Sequence, residues 1–157
     1  MREIKLSKKV FEILLTQLVT IEERRERSGS YGGANENPGE FSGFMDIYER
    51  KLKELVESVT LIETENTSVP FVVIGSEVQV CDLDSMEMIT CRVTTPEAFE
   101  PEGNDVTILS PIGKALLLKE VGDCVDIRAP VGVIHYEITS IGLDSEIDID
   151  SIYSYLA

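Results

Sequence analysis

The sequence predicts an α+β protein. An antiparallel helical hairpin, a short coiled coil, occupies residues 1–65, and a small antiparallel sheet domain with one helix occupies 66–157. Three observations carry this. Two stretches with apolar residues at helical spacing flank a glycine-rich segment. After Glu63 the pattern drops to alternation, and at Ser110-Pro111 it returns once to helical character. Helices gathered at one end of a chain and strands at the other form the α+β pattern.

Residues 7–27 read as the first helix, with Ser7 as N-cap because its hydroxyl can satisfy a free first-turn amide. Val10, Leu14, Leu18 and Ile21 form its apolar stripe, widened by Phe11 and Leu15. Residues 44–62 repeat the pattern with Tyr48, Leu52, Leu55, Val56 and Val59, and Glu49 and Lys53 stand as an i,i+4 pair in the favourable order. Neither helix can bury its stripe alone, so the two are expected to pack antiparallel through Leu14, Leu18, Leu52 and Leu55. Arms of this length reach roughly 30 Å.

Between them, R-S-G-S-Y-G-G-A-N-E-N-P-G-E-F-S-G (Arg27 to Gly43) holds five glycines and a proline, so it is expected to be non-helical over 28–43. It is far longer than an antiparallel turn requires, which points to a task for this tip.

The second half begins with P-F-V-V-I-G-S-E-V-Q-V-C-D-L-D-S, a strand with Val78 and Val80 on one face and a turn over Asp82 to Ser85. M-E-M-I-T-C-R-V-T-T and N-D-V-T-I-L-S are the next two strands. Ser110 caps a short helix, Pro111 takes its first position and Gly122 is expected to end it. D-C-V-D-I-R-A and V-I-H-Y-E-I-T-S-I-G follow, joined at Pro130-Val131-Gly132. The acidic tail, 143–157, alternates acids with Ile, Leu and Tyr; an edge strand, a short helix and a docking tail all fit it.

The formal charge of −15 argues against binding free nucleic acid, because a duplex would repel the chain. Cys81, Cys91 and Cys124 are odd in number and widely spaced, giving neither a disulfide framework nor a zinc site. No apolar run reaches the ~20 residues a membrane span needs, and the start lacks an apolar signal core. The expectation is a cytoplasmic protein with reduced thiols. The one histidine, His135, lies in a strand, so triads and histidine-based metal sites are unsupported, and Y-G-G-A-N-E-N-P-G lacks the G-K-[ST] of a phosphate loop. No intrinsic catalytic residue and no cofactor are expected.

V-I-G-S-E-V-Q-V-C-D-L-D-S and then I-L-S-P-I-G-K-A-L-L-L-K-E-V-G-D-C-V-D-I-R-A-P-V-G-V-I-H-Y-E-I-T-S-I resemble the C-terminal domain of the GreA/GreB transcription elongation factors. The resemblance runs in order over residues 70–142. It comprises a G-S-x-V-x-V strand with an L-D-S turn, then S-P-I-G-x-A-L-L (Ser110, Pro111, Gly113), then K-x-x-G-D, then A-P-x-G (Pro130, Gly132). No single piece is specific; the ordered set is. A helical hairpin N-terminal to it is the family's other half.

The resemblance implies an FK506-binding-protein-like fold that docks at the rim of the secondary channel of RNA polymerase, with the hairpin entering the channel. It implies tip acids that help hold a magnesium ion of the polymerase where a backtracked transcript is cut. The family tip has the form D-x-x-E-N-x-E-Y. Here Glu36-Asn37 is followed by Pro38-Gly39-Glu40-Phe41, one residue too long, and Gly33 stands where the leading aspartate belongs. Glu36 matches the family glutamate, and Glu40 matches the later acid if one residue loops out. Arg24, Arg25 and Arg27 form a basic patch that fits either a helix C-terminus or contact with nascent RNA and polymerase. Two outcomes stay open, a cleavage stimulator and a non-cleaving occupant of the channel. Outside the family, an interaction module for another protein and a peptidyl-prolyl isomerase remain. The isomerase would need an aromatic-lined pocket that a Trp-free domain supplies poorly.

Overall fold

In the computed structural model, residues 3–28, 39–95, 105–144 and 149 are described. The chain divides into two compact units, Met1–Glu65 and Asn66–Ala157.

The first unit contains β1 (Lys5–Ser7), α1 (Lys8–Ser28), α2 (Gly39–Ser58) and β2 (Thr60–Ile62). Ser7 caps α1: its hydroxyl accepts from the Val10 amide at 3.1 Å. The helices pack through Val10, Ile13, Leu14, Leu18 and Ile21 against Met45, Tyr48, Leu52 and Leu55, all buried. Leu15, expected in that stripe, is exposed instead, and Ile13 and Gln17 take the inward positions. Gln17 sits there because the Tyr48 hydroxyl donates to its side-chain carbonyl at 2.7 Å, a buried bond between the two arms. Glu49 is likewise buried, so it does not stand with exposed Lys53 on an outer face.

The second helix spans 39–58 rather than 44–62. It starts five residues earlier, within the segment expected to be non-helical. Its C-terminal end is lost to a strand: Thr60, Leu61 and Ile62 pair in parallel with Lys5, Leu6 and Ser7. That pairing joins the two ends of the unit and outweighs the weak helical preference of a β-branched Thr and Ile.

Among the described residues, the second unit is a five-stranded sheet in the order β5-β4-β3-β7-β6 with one helix. Its elements are β3 (Glu77–Asp82), β4 (Met88–Thr94), β5 (Asp105–Thr107), α3 (Pro111–Leu116), β6 (Cys124–Ala129) and β7 (Gly132–Gly142). The α+β class stands, with one correction to the sheet. β3–β4, β3–β7 and β6–β7 are antiparallel, but edge strand β5 runs parallel to β4. The first strand also begins later than expected, at Glu77. Val78, Val80, Val93, Leu116, Val125, Ile127, Tyr136 and Ile138 bury the face toward the core. Cys81 and Cys91 are buried free thiols and Cys124 an exposed one.

Candidate functional site

Four segments of the second unit carry the sequence motif. Ser110 lies in an extended conformation just before α3, and its hydroxyl makes two bonds. It donates to the Thr107 carbonyl at 2.8 Å and accepts from the Gly113 amide at 3.1 Å. Pro111 fills the first helical turn, where a missing N–H costs nothing. Gly113 packs so closely on the preceding strand that a Cβ there would lie 1.9 Å from the Thr107 oxygen. S-P-I-G is therefore a junction that seats α3 against the end of β5, and it leaves Pro111 and Lys114 exposed. The turn depends on the Thr107 carbonyl, a backbone group that nothing in the identity of Thr107 announces.

The K-x-x-G-D piece corrects an expectation. α3 ends at Leu116, well before Gly122. Leu118 takes the left-handed conformation (φ 70°) and its amide donates to the Val72 carbonyl at 2.8 Å, while the Val72 amide donates to Lys119. Partners across the unit thus stop the helix. Gly122 (φ 95°) and Asp123 then build the turn into β6, in which an Asp123 carboxylate oxygen accepts from the Glu120 amide at 2.8 Å. In A-P-x-G, Ala129 pairs with Gly132 across a reversal made by Pro130 and Val131, and Gly132 (φ 131°) occupies a region that side chains disfavour.

Of the tip residues, Glu36 lies outside the described residues. Glu40 is the second residue of α2, which places its backbone in the first turn of a helix. Arg24, Arg25 and Arg27 fall in the last turns of α1, and the Arg24 side chain is half-buried. The acidic tail lies outside the described residues apart from Leu143, Asp144 and a buried Ile149.

Titratable chemistry elsewhere is sparse. His135 Nδ1 is 2.6 Å from Asp126 Oδ1 on the neighbouring strand. That hydrogen bond and charge raise the imidazole pKa above its ordinary value, against an opposing desolvation, with smaller contributions from Asp84 and Asp82. Burial pushes the Cys91 thiol up to about 11, so it is inert near neutrality. Among the described residues no three His, Cys, Asp or Glu side chains are grouped to hold a metal ion. No described helix is long and apolar enough to cross a membrane.

The family model described as "Transcription elongation factor, GreA/GreB, C-term" matches residues 66–143. Transcription elongation factor GreA of Magnetococcus marinus is 30% identical over 121 residues, which are 74% of this chain and 77% of that protein. GreA of Solidesulfovibrio magneticus is 30% identical over 135 residues, 83% of this chain and 80% of its own. Among solved structures, GreA factor homolog 1 (Gfh1) of Thermus thermophilus is 25% identical, covering 89% of this chain and 99% of that one, with a TM-score of 0.40.

Proposed function

This chain belongs to the GreA/GreB family of transcription elongation factors, and from that membership we propose that it binds RNA polymerase at the secondary channel. There it modulates elongation or the cleavage of backtracked transcripts. The observation that carries the reading is the pairing of a two-helix unit, closed by α1 against α2, with a sheet unit that bears the family motif in order. The sheet unit supplies attachment. The hairpin supplies reach, its α1 arm of 21 residues being roughly 30 Å long.

On this reading the chain is a factor and not an enzyme: it carries the carboxylates to a centre that belongs to the polymerase. If the chain stimulates cleavage, Glu36 would be the main magnesium-directing acid and Glu40 an auxiliary, since carboxylate oxygen is the hard ligand this ion takes. A second divalent ion stabilises the attacking and leaving oxygens of a phosphoryl displacement. Arg24, Arg25 and Arg27 would meet nascent RNA or polymerase on the way in. Gly33 in place of the family aspartate favours the version that occupies the channel and modulates transcription without stimulating cleavage.

The test is twofold. Core RNA polymerase should be retained by the immobilised protein, and failure to retain it would sink the reading. Backtracked complexes incubated with and without the protein then separate the two versions, through shortened transcripts in one case and slowed elongation in the other.

A further inference from the structure

Among the described residues, the buried polar side chains along the seam between α1 and α2 gather at one level: Gln17, Tyr48 and its neighbour Glu49. The rest of the seam is Val, Ile, Leu and Met. On α1 the inward row Val10, Leu14, Gln17 and Ile21 advances by four, three and four residues. On α2 the row Met45, Tyr48, Leu52 and Leu55 advances by three, four and three. The Tyr48 hydroxyl donates to Gln17 Oε1 at 2.7 Å, so these two residues stand level across the seam.

A bond of this kind adds little net stability, because both groups are bonded to water in the unfolded chain. Its weight lies in what it forbids. Aliphatic side chains accept one another at many offsets, so the two rows could slide by one step, about 5 Å, and still meet apolar on apolar. Sliding one way sets Gln17 against Leu52 and Tyr48 against Ile21; sliding the other way sets Gln17 against Met45 and Tyr48 against Leu14. Either slide buries an amide and a hydroxyl without the bond they now share, which is costly. A single polar position selects the register of a coiled coil in the same manner.

The pair stands between the base of the hairpin and its tip. At the base, β1 and β2 join the helix ends through three residue pairs, but β2 is exposed at every position, and two strands alone are marginal in water. Gln17 lies roughly 15 Å further along α1. Toward the tip, Phe44 stacks on Tyr48 with ring centroids 6.1 Å apart and planes at 19°. The Glu40 backbone follows on the same helix, about 12 Å beyond Tyr48. An offset at Tyr48 is therefore carried along the helix to Glu40.

We propose that Gln17 and Tyr48 are positioning residues: their bond sets the axial register of α2 on α1 and, resting on the reading above, how far the tip reaches into polymerase. They act through placement alone, on neither RNA nor metal directly.

The experiment uses the full chain with nitroxide labels at Lys9→Cys and Ile47→Cys, both exposed, and with Cys124→Ser so that no other exposed thiol takes a label. The two positions are staggered along the hairpin, so sliding changes their separation. The labelled parent should give one narrow distance distribution. Adding Gln17→Leu with Tyr48→Phe should broaden or split it by about 5 Å. The melting temperature should stay at or above that of the parent, since replacing both partners by apolar groups is close to neutral. In unlabelled protein the same pair of changes should leave polymerase affinity as it was. Its effect on transcript cleavage or elongation rate should fall at least about tenfold, because a small misplacement near a reacting centre is expensive.

Should the double variant fail to fold, Tyr48→Phe, which removes a single oxygen, decides by the same measurements. A distribution as narrow as the parent's, at the same distance, overturns the register role and leaves the proposed function standing. A broadened distribution with undiminished effect on transcription overturns the link to the tip. Absence of polymerase binding by the parent overturns the proposed function, and the distance measurement then decides the register role alone.

Discussion

A methyl group on Gly113 would meet the Thr107 oxygen at 1.9 Å, whereas one on Gly43 of α2 would meet nothing within 4 Å. The two alanine variants should therefore move in opposite directions. Gly113→Ala must push α3 off β5 or break the Ser110 cap, at about 1–3 kcal/mol, as overpacking usually costs. Gly43→Ala should gain about 0.5–1 kcal/mol from helix propensity. Thermal melts of both variants check this, and equal melting temperatures would remove the steric account of the motif. His135 makes a second test at this scale. Its folded pKa is raised, first by the hydrogen bond the imidazole donates to the Asp126 carboxylate. The pairing thus contributes stability at pH values below the unfolded pKa, and that contribution is lost as pH rises through the folded one. An NMR titration should find the imidazole above 6.5 in the parent, and Asp126→Asn should bring it back toward that value. Because the pair is exposed, the pH dependence of global stability should scarcely change.

At the scale of elements, the hairpin is thin, so each inward side chain matters. Leu18 is buried between the arms, and Leu18→Ala should cost about 2–5 kcal/mol, seen as a lower melting temperature for the first unit. An unchanged melt would mean that the arms do not depend on this seam. Both helices and all five strands of the sheet were legible in the periodicity, because local spacing reports which face of an element is inward. What stayed hidden depended on distant partners. Gln17 looks like a surface residue until Tyr48 is brought to it. Thr60-Leu61-Ile62 continues a helical stripe until Lys5–Ser7 offers a ladder. The direction of β5 is fixed by its neighbour β4, and the end of α3 by the Val72 carbonyl. The candidate site divides in the same way. Ser110 and Pro111 announce a cap from sequence, while the need for Gly113 appears only with the Thr107 carbonyl above it. Glu36 and Glu40 rest on the family pattern, since an acid's role at another protein's centre leaves no local trace.

For the whole molecule, the proposed division of labour makes attachment and action separable. Residues 66–157 form a compact unit of their own and should bind core polymerase, while residues 1–62 should bind poorly. Equal affinity of the two fragments would refute that division. Action then depends on the acids at the tip. Loss of a carboxylate near an ion removes charge stabilisation that a neighbouring Asn or Gly cannot replace. If the chain stimulates cleavage, Glu36→Ala should abolish stimulation and leave polymerase affinity unchanged, and Glu40→Ala should reduce it in part. Gly33→Asp should then raise activity by restoring the family's leading acid, provided that the segment before α2 is helical when bound, since only then do residues three apart share a face. If the parent instead slows elongation without shortening transcripts, the tip acts by filling the channel, and Glu36→Ala should change little because volume and not charge does the work. Glu40 lies in the first turn of α2, so the second arm begins within the acidic pattern itself. Transcript cleavage that persists after both Glu36 and Glu40 become alanine would rule out the carboxylate mechanism, and it would also rule out the plug, which does not stimulate cleavage at all.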